Sequence, residues 1–300
     1  MSLLVVGSLG LDDIETPFGK VRSVLGGSAS YFSIAASIFT DVNVVAVVGD
    51  DFPSSHLELF ESKGINIKGI QHTEGKTFRW QGRYGYDLGN PETLGTYLNV
   101  FEKFNPVIPQ EYKKSDYVFL ANIDPELQLN VLKQVDSPKL VACDTMNFWI
   151  ENKKEALLEV LKNVDILMIN DSEARELGQD SFMTKAARNI LDLGPRILVV
   201  KRGEYGALQF SKEGIFWAPS YPLEEVLDPT GAGDSFAGGF MGFISRENEI
   251  TNSNLKRSVV YGCVVASFTV EDFSVNRLSD LKEEELNTRH QAFMGLTNVD

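Results

Sequence analysis

Short apolar runs separated by longer stretches of helical period set the rhythm of the chain. Residues 3–6, 42–48, 117–120, 140–142, 166–169 and 197–200 are rich in Val, Ile and Leu and scarcely alternate with polar positions. Strands covered on both faces read this way, because neither face meets water. Between them, residues 29–38, 54–63, 125–134, 154–162, 172–177 and 181–193 place apolar side chains at helical spacing. Alternation of strand and helix predicts an α/β fold, a parallel sheet sandwiched between helices. No self-similar period of roughly 20–50 residues is present, which excludes a solenoid.

Two segments break the rhythm. Residues 15–24 are short and polar, with Pro17 and Gly19 at their centre. Residues 75–104 contain TFRWQGRYGYDLG and then TLGTYLNVFEKF, both partly alternating and aromatic. Antiparallel strands apart from the main sheet are expected here: a small β-sheet lid built from segments near 13–25 and 75–104. An edge extension of the core is the plainer alternative. Alternation puts Phe78, Trp80 and Gly82 on one face, with Arg79 and Arg83 nearer the other. No Pro/Gly/Ser linker marks a second unit, so residues 1–300 are read as a single domain.

Composition narrows the classes. Apolar residues make up 43% of the 300 and charged residues 23%, close to the globular average, which excludes a disordered or fibrous chain. No apolar run is long enough to span a bilayer. Lys and Arg number 28 against 42 Asp and Glu, a net charge of -14 that argues against a nucleic-acid or anionic-membrane partner. The opening MSLLVVGSLGLDDIE lacks a basic n-region and reads as a first strand, not a signal peptide. Cys143 and Cys263 lie in apolar runs and read as reduced thiols, so a cytoplasmic location is expected. His56, His72 and His290 are scattered, and no zinc-type cluster forms.

The stretch VLDPTGAGDSFAGGF, residues 226–240, carries the chemistry. Gly231 and Gly233 let a ligand approach the main chain. A helix starting near Ser235 aims free N–H groups and partial positive charge at that ligand. Gly231, Ala232 and Gly233 thus read as an anion hole for a phosphoryl group. Asp234, held ionised in this positive pocket, is suited to take a proton from a substrate hydroxyl. The plainer reading is a Gly-rich turn whose Asp234 caps the helix. The stretch is not a Walker A loop, because no Lys-Ser/Thr pair follows the glycines.

DPTGAGDSFAGGF resembles the C-terminal signature of the PfkB family, the ribokinase-like sugar and nucleoside kinases. The resemblance extends over most of the chain. Gly7 followed by Asp12 is similar to the family's first strand and its sugar-binding acid, and Gly26 and Gly27 opening a helix to its substrate loop. Asn170 and Glu173 in INDSEA fit its N-x-x-E motif, and Gly203 and Gly206 in KRGEYG its nucleotide loop. The resemblance implies a ribokinase-like three-layer α/β/α sandwich with a β-sheet lid. ATP and Mg2+ are implied, with monovalent-cation dependence left open. Asp234 would be the general base, and Asp12, Gly26 and Gly27 would hold sugar hydroxyls. Asn170 and Glu173 would act on magnesium through water, with Asn170, Lys201, Gly203 and Gly206 along the nucleotide. On residue types alone, Asn170 and Glu173 read first as a helix cap, and Lys201 as part of a solvated loop with no catalytic role.

This chain also departs from that pattern. Tyr31 stands where the family signature has an Asn that binds substrate, which argues against ribose itself as the acceptor. Ser28 and Ser30 offer replacement hydroxyls. Asn122 and Asp124 in ANIDPE are substrate candidates or caps for the helix at Pro125, and Asp144 and Asn147 border the same crevice. The lid aromatics suit stacking on a ring or a homodimer through the lid. The activity expected is transfer of the γ-phosphate of ATP to an alcohol of a sugar. The alternatives are an adenosine-like nucleoside kinase and a non-catalytic nucleotide or sugar sensor.

Overall fold

The computed structural model describes residues 2–296. The chain opens with β1 (Ser2–Val6), forms a hairpin of β2 (Gly10–Thr16) and β3 (Gly19–Gly26), and continues through α1 (Ser28–Ser37), β4 (Asp41–Val48), α2 (Ser54–Ser62) and β5 (Asn66–His72). β6 (Phe78–Arg83) and β7 (Glu92–Tyr97) lead to β8 (Tyr117–Leu120), α3 (Pro125–Leu132) and β9 (Leu140–Asp144). Then come α4 (Asn147–Asn152), α5 (Lys154–Leu161), β10 (Ile166–Asn170), α6 (Asp171–Gly178), α7 (Met183–Leu191) and β11 (Ile197–Lys201). The chain closes with β12 (Ala207–Ser211), β13 (Gly214–Ala218), α8 (Ala232–Glu247), α9 (Asn252–Thr269), α10 (Asn276–Ser279) and α11 (Glu283–Leu296).

Nine strands form the main sheet in the order β13-β12-β11-β10-β9-β8-β1-β4-β5. Every pairing from β5 to β11 is parallel, and the β12–β13 hairpin closes one edge antiparallel. The apolar runs form these parallel strands because both faces are covered. Leu3 and Val5 enter one core with residues of α1, α8 and α9, while Leu4 and Val6 enter a second with residues of α3, α5, α6 and α7. The six strands and six helices expected from periodicity are present with ends shifted by at most two residues. β5 and the β12–β13 hairpin are additional. Cys143 and Cys263 are free and buried. No helix among the described residues is long and apolar enough to cross a membrane.

The second sheet has the order β3-β2-β6-β7. Its strands are not all antiparallel, as the polar and aromatic segments suggested. β2 and β6 run parallel, with Gly10 beside Phe78, Asp12 beside Trp80 and Ile14 beside Gly82. A parallel pair needs a long crossover, and here it passes through α1, β4, α2 and β5. Asp12 therefore lies inside a strand of the small sheet, not at the carboxyl end of β1. The sheet is anchored over the end of β4: Asp50 accepts from the Gly75 amide (2.9 Å) and Asp51 from the Thr77 amide (2.7 Å).

Candidate active site

Strand order reverses at β1, where β4 lies on one side and β8 on the other. Ligands of open α/β sheets bind outside the carboxyl ends of the strands at such a switch. The ends of β8, β9, β10 and β11 deliver Asn122, Asp144, Asn170 and Lys201 to this edge. The loop before α8 meets them from above.

That loop is built for close approach. Gly231 has φ 76°, and a Cβ there would lie 2.3 Å from the Tyr31 ring. No side chain fits, so the buried Tyr31 ring wedges directly beneath the turn. The amide of Thr230 donates to Asp228 Oδ1 (2.9 Å) and that of Ser235 to the Gly231 carbonyl (2.8 Å). The Ala232 amide donates to the Pro229 carbonyl (3.2 Å), which removes it from the three-amide hole expected from the sequence. The amides of Gly231, Gly233 and Asp234 find no acceptor among the described residues. They form the first turn of α8 and its cap, where an anion is favoured.

Asp234 is half-buried beside this cradle. Its carboxyl is pushed up to about 7, first by loss of solvent and then by the charge of Asp144, with Lys201 pulling the other way. Its expected low pKa is thus corrected: desolvation and a neighbouring acid outweigh the positive helix end.

Asp12 faces the same space from β2. It is 3% exposed, and its carboxyl is raised to about 7 by burial, against the pull of the Gly27 and Trp80 amides. Gly26 makes room for it, since a Cβ at that position would sit 1.9 Å from Asp12 Oδ2. Gly26 therefore serves first to seat this carboxylate, while Gly27, at φ 89°, packs against the Ser8 carbonyl. Asp12 Oδ1, the Tyr31 hydroxyl and Asp228 Oδ2 are all buried without a hydrogen-bond partner. Buried polar atoms are nearly always satisfied, so this group marks the place of a ligand. Tyr84, just beyond β6, completes the wall: its hydroxyl accepts from Thr230 Oγ1 (3.1 Å).

On the other side of Gly233 stands Lys201. Its Nζ donates to Asp144 Oδ2 (2.7 Å) and lies 3.3 Å from where a Cβ on Gly233 would be. Asp144 Oδ1 is occupied by the Thr145 amide (2.8 Å). Burial disfavours the Lys201 ammonium, but Asp144, Glu173 and Asp234 together hold its pKa above the usual lysine value. The pattern of the pfkB family of carbohydrate kinases matches residues 8–281. The chain belongs to this family.

Relatives of the kinase agree in sequence and fold. It is 31% identical to a cytidine kinase of Thermococcus kodakarensis over 255 residues, covering 82% of this chain and 89% of that one. It is 25% identical to a nucleoside kinase of Methanocaldococcus jannaschii over 261 residues, covering 84% and 81%. The solved structure of a nucleoside kinase from Methanocaldococcus jannaschii superposes with a TM-score of 0.78 at 22% identity, covering 97% of this chain and 98% of that one. A structure described as a putative ribokinase II of E. coli in complex with ATP and Mg2+ superposes at 0.79 with 20% identity, covering 97% and 99%.

Other expected site residues of this PfkB kinase are engaged locally. Asn170 and Glu173 form a complete capping box on α6: Asn170 Oδ1 accepts from the Glu173 amide and Glu173 Oε2 from the Asn170 amide, both at 2.8 Å. Ser172 Oγ also donates to Asn170 Oδ1 (2.8 Å). Glu173 Oε1 and the Asn170 NH2 group remain for water or nucleotide. Burial, then Asp144, raises the Glu173 pKa. No group of three or more His, Cys, Asp or Glu side chains among the described residues converges to hold a metal. Oxygens of a nucleotide and water would have to complete a magnesium shell, which fits contact through water from Glu173 and Asn170.

Gly203, two residues after Lys201, has φ 52° and open space at its Cβ position. Gly206 instead packs against the Ala218 carbonyl. Asn122 Oδ1 accepts from Trp149 Nε1 (3.0 Å) and fixes that indole. Asp124 caps α3 through the Glu126 amide (2.9 Å) and pairs with Lys153 (3.5 Å), so its carboxylate is committed to the helix. Asn147 donates to Glu176. Arg79 and Arg83 pair with Asp13 and Glu15, while Trp80 shares the Asp12 face of the small sheet and lies across Gly82. Sequence reasoning placed Tyr84 only among the lid aromatics and gave Asp228 no role of its own. Their place at the site shows only once β6 and the loop before α8 are placed.

Proposed function

We propose that this PfkB kinase transfers the γ-phosphoryl group of ATP to a ribose hydroxyl of a nucleoside. The observation that carries the reading is the set of orphaned oxygens of Asp12, Tyr31 and Asp228 beside Asp234. Such a set calls for a ligand with several hydroxyl donors. The charges felt at Asp12 and Tyr84 are carboxylates, and those at Tyr31 are Asp12, Asp228 and Asp234 with Tyr84, which suits an uncharged acceptor over a sugar phosphate. Trp80 on the same face offers a flat surface for a base. The similarity to cytidine and nucleoside kinases supports the same choice over a free sugar.

In this mechanism Asp12 and Tyr31 orient the acceptor, and Asp234 takes its hydroxyl proton. The acceptor oxygen bonds to the γ-phosphorus as the bond to the ADP oxygen breaks, its electron pair leaving with ADP. The Gly231, Gly233 and Asp234 amides stabilise charge on the phosphoryl oxygens. Glu173 and Asn170 would act through water on a bound magnesium, which would neutralise phosphate charge. The small sheet acts as a lid that excludes water.

ADP release across cytidine, other nucleosides, ribose, other free sugars and ribose 1-phosphate tests the reading. A nucleoside should exceed ribose in kcat/KM by about 100-fold. Transfer confined to free or phosphorylated sugars would contradict it. Specific ligand binding without any transfer would favour a sensor.

A further inference from the structure

We infer that Lys201 is a catalytic residue of this kinase, its ammonium pairing with the phosphoryl group in flight at the N-terminus of α8 while Asp144 tethers it there. The inference rests on the phosphoryl transfer described above and extends it to a second charge beside the amide cradle.

A lysine ammonium has three N–H donors. Among the described residues, Lys201 Nζ has one acceptor, Asp144 Oδ2. Its side chain is 16% exposed, so its unmatched donors have little water available. They lie beside Gly233, whose amide is itself without an acceptor. An ammonium and an amide, both unmatched and both against one glycine, describe a site for a multiply charged oxyanion. The tether is rigid. Asp144 sits at the carboxyl end of β9, is 5% exposed, and is oriented by the Thr145 amide on its other oxygen.

Lys201 stands among Asp144, Glu173 and Asp234, which keep its ammonium charged despite burial. In the step itself the acceptor O–P bond forms and the P–O bond to ADP breaks. The acceptor proton goes to Asp234 and the electron pair to the ADP oxygen. Lys201 neither gains nor loses a proton; it neutralises charge on a γ-phosphoryl oxygen throughout. Asp144 touches no reacting atom and is a positioning residue.

A purely structural lysine would only balance Asp144. Lys201→Met, Lys201→Arg, Asp144→Asn and the double variant Lys201→Met/Asp144→Asn separate the two roles, because the double variant removes both charges and leaves no unpaired ion. Lys201→Met should lower kcat by about 100–1000-fold with ATP KM changed by less than about 10-fold. The double variant should stay as low at a Tm near wild type, and Lys201→Arg should recover part of the loss. Recovery of the double variant to within about 3-fold of wild type would overturn the inference.

A second readout does not depend on the acceptor. Magnesium–ADP titrated with aluminium fluoride, a mimic of the phosphoryl group in flight, should bind wild type more tightly than magnesium–ADP alone. The tightening should vanish in Lys201→Met and in the double variant. Equal tightening in the variants, or none in wild type, would overturn the inference even if the acceptor proves not to be a nucleoside. Loss of tightening in the variants, with wild type turning over only sugars, would uphold Lys201 and reject the nucleoside alone.

Discussion

Tyr84 and Thr230 are 146 positions apart in sequence, yet their hydroxyls share a 3.1 Å hydrogen bond. Tyr84 belongs to the small sheet, held in line by its amide on the Glu15 carbonyl (2.8 Å), and Thr230 to the turn before the amide cradle. The bond joins the small sheet to the turn before α8. Burial raises the Tyr84 pKa far above the usual tyrosine value, so the phenol stays protonated and the bond persists at physiological pH.

Tyr84→Phe removes only this bond, worth about 1 kcal/mol. Stability should barely change. ADP formed without acceptor should rise relative to phosphorylated product, because the cover seats less firmly. Parallel measurement of ADP and product checks this, and an unchanged ratio would show that Tyr84 serves packing alone.

Gly26→Ala should copy the loss of Asp12. The added Cβ would meet the Asp12 carboxylate at 1.9 Å and push it out of the site. Acceptor KM should rise by about 10-fold or more in both Gly26→Ala and Asp12→Asn, with ATP KM nearly constant. A rise in ATP KM alone would place Asp12 on the wrong substrate.

The pH profile follows from Asp234. In the proposed role of base it would act deprotonated, and burial pushes its carboxyl up to about 7. The rate should therefore fall about tenfold per pH unit below about 7 and level off above it. A profile flat from pH 5 to 8 would remove Asp234 from the base role.

Stability should run the opposite way. Asp12 and Asp234 both rise from 3.8 unfolded to about 7 folded. The folded state holds extra protons between those values, so this contribution is complete below about 4 and lost as pH rises through 7. Thermal melts should show Tm falling over that window. Asp12→Asn and Asp234→Asn should flatten the fall and raise Tm by a few degrees at pH 8, about 1 kcal/mol each. A steeper fall in either variant would contradict the burial argument.

Much of this was legible beforehand, for physical reasons specific to each element. Leu3, Leu4, Val5 and Val6 are all apolar because they feed two cores, and that pattern shows in a single sequence. The capping box of Asn170 and Glu173 is a local signal four residues long. The parallel pairing of β2 with β6 is not local, so residue pattern alone does not place Asp12 inside a strand of the small sheet. Capture of the Ala232 amide by Pro229 depends on turn geometry, which residue types leave open. The raised pKa of Asp234 comes first from burial and then from Asp144 on β9, 90 positions earlier, and only the fold supplies both.

Asp234 and the free amides at the start of α8 are the heart of the account, and one variant tests them most directly. ADP release by Asp234→Asn, with saturating ATP and the best acceptor, should fall by about 1000-fold while ATP Kd stays within about 3-fold of wild type. Turnover within about 10-fold of wild type would contradict it.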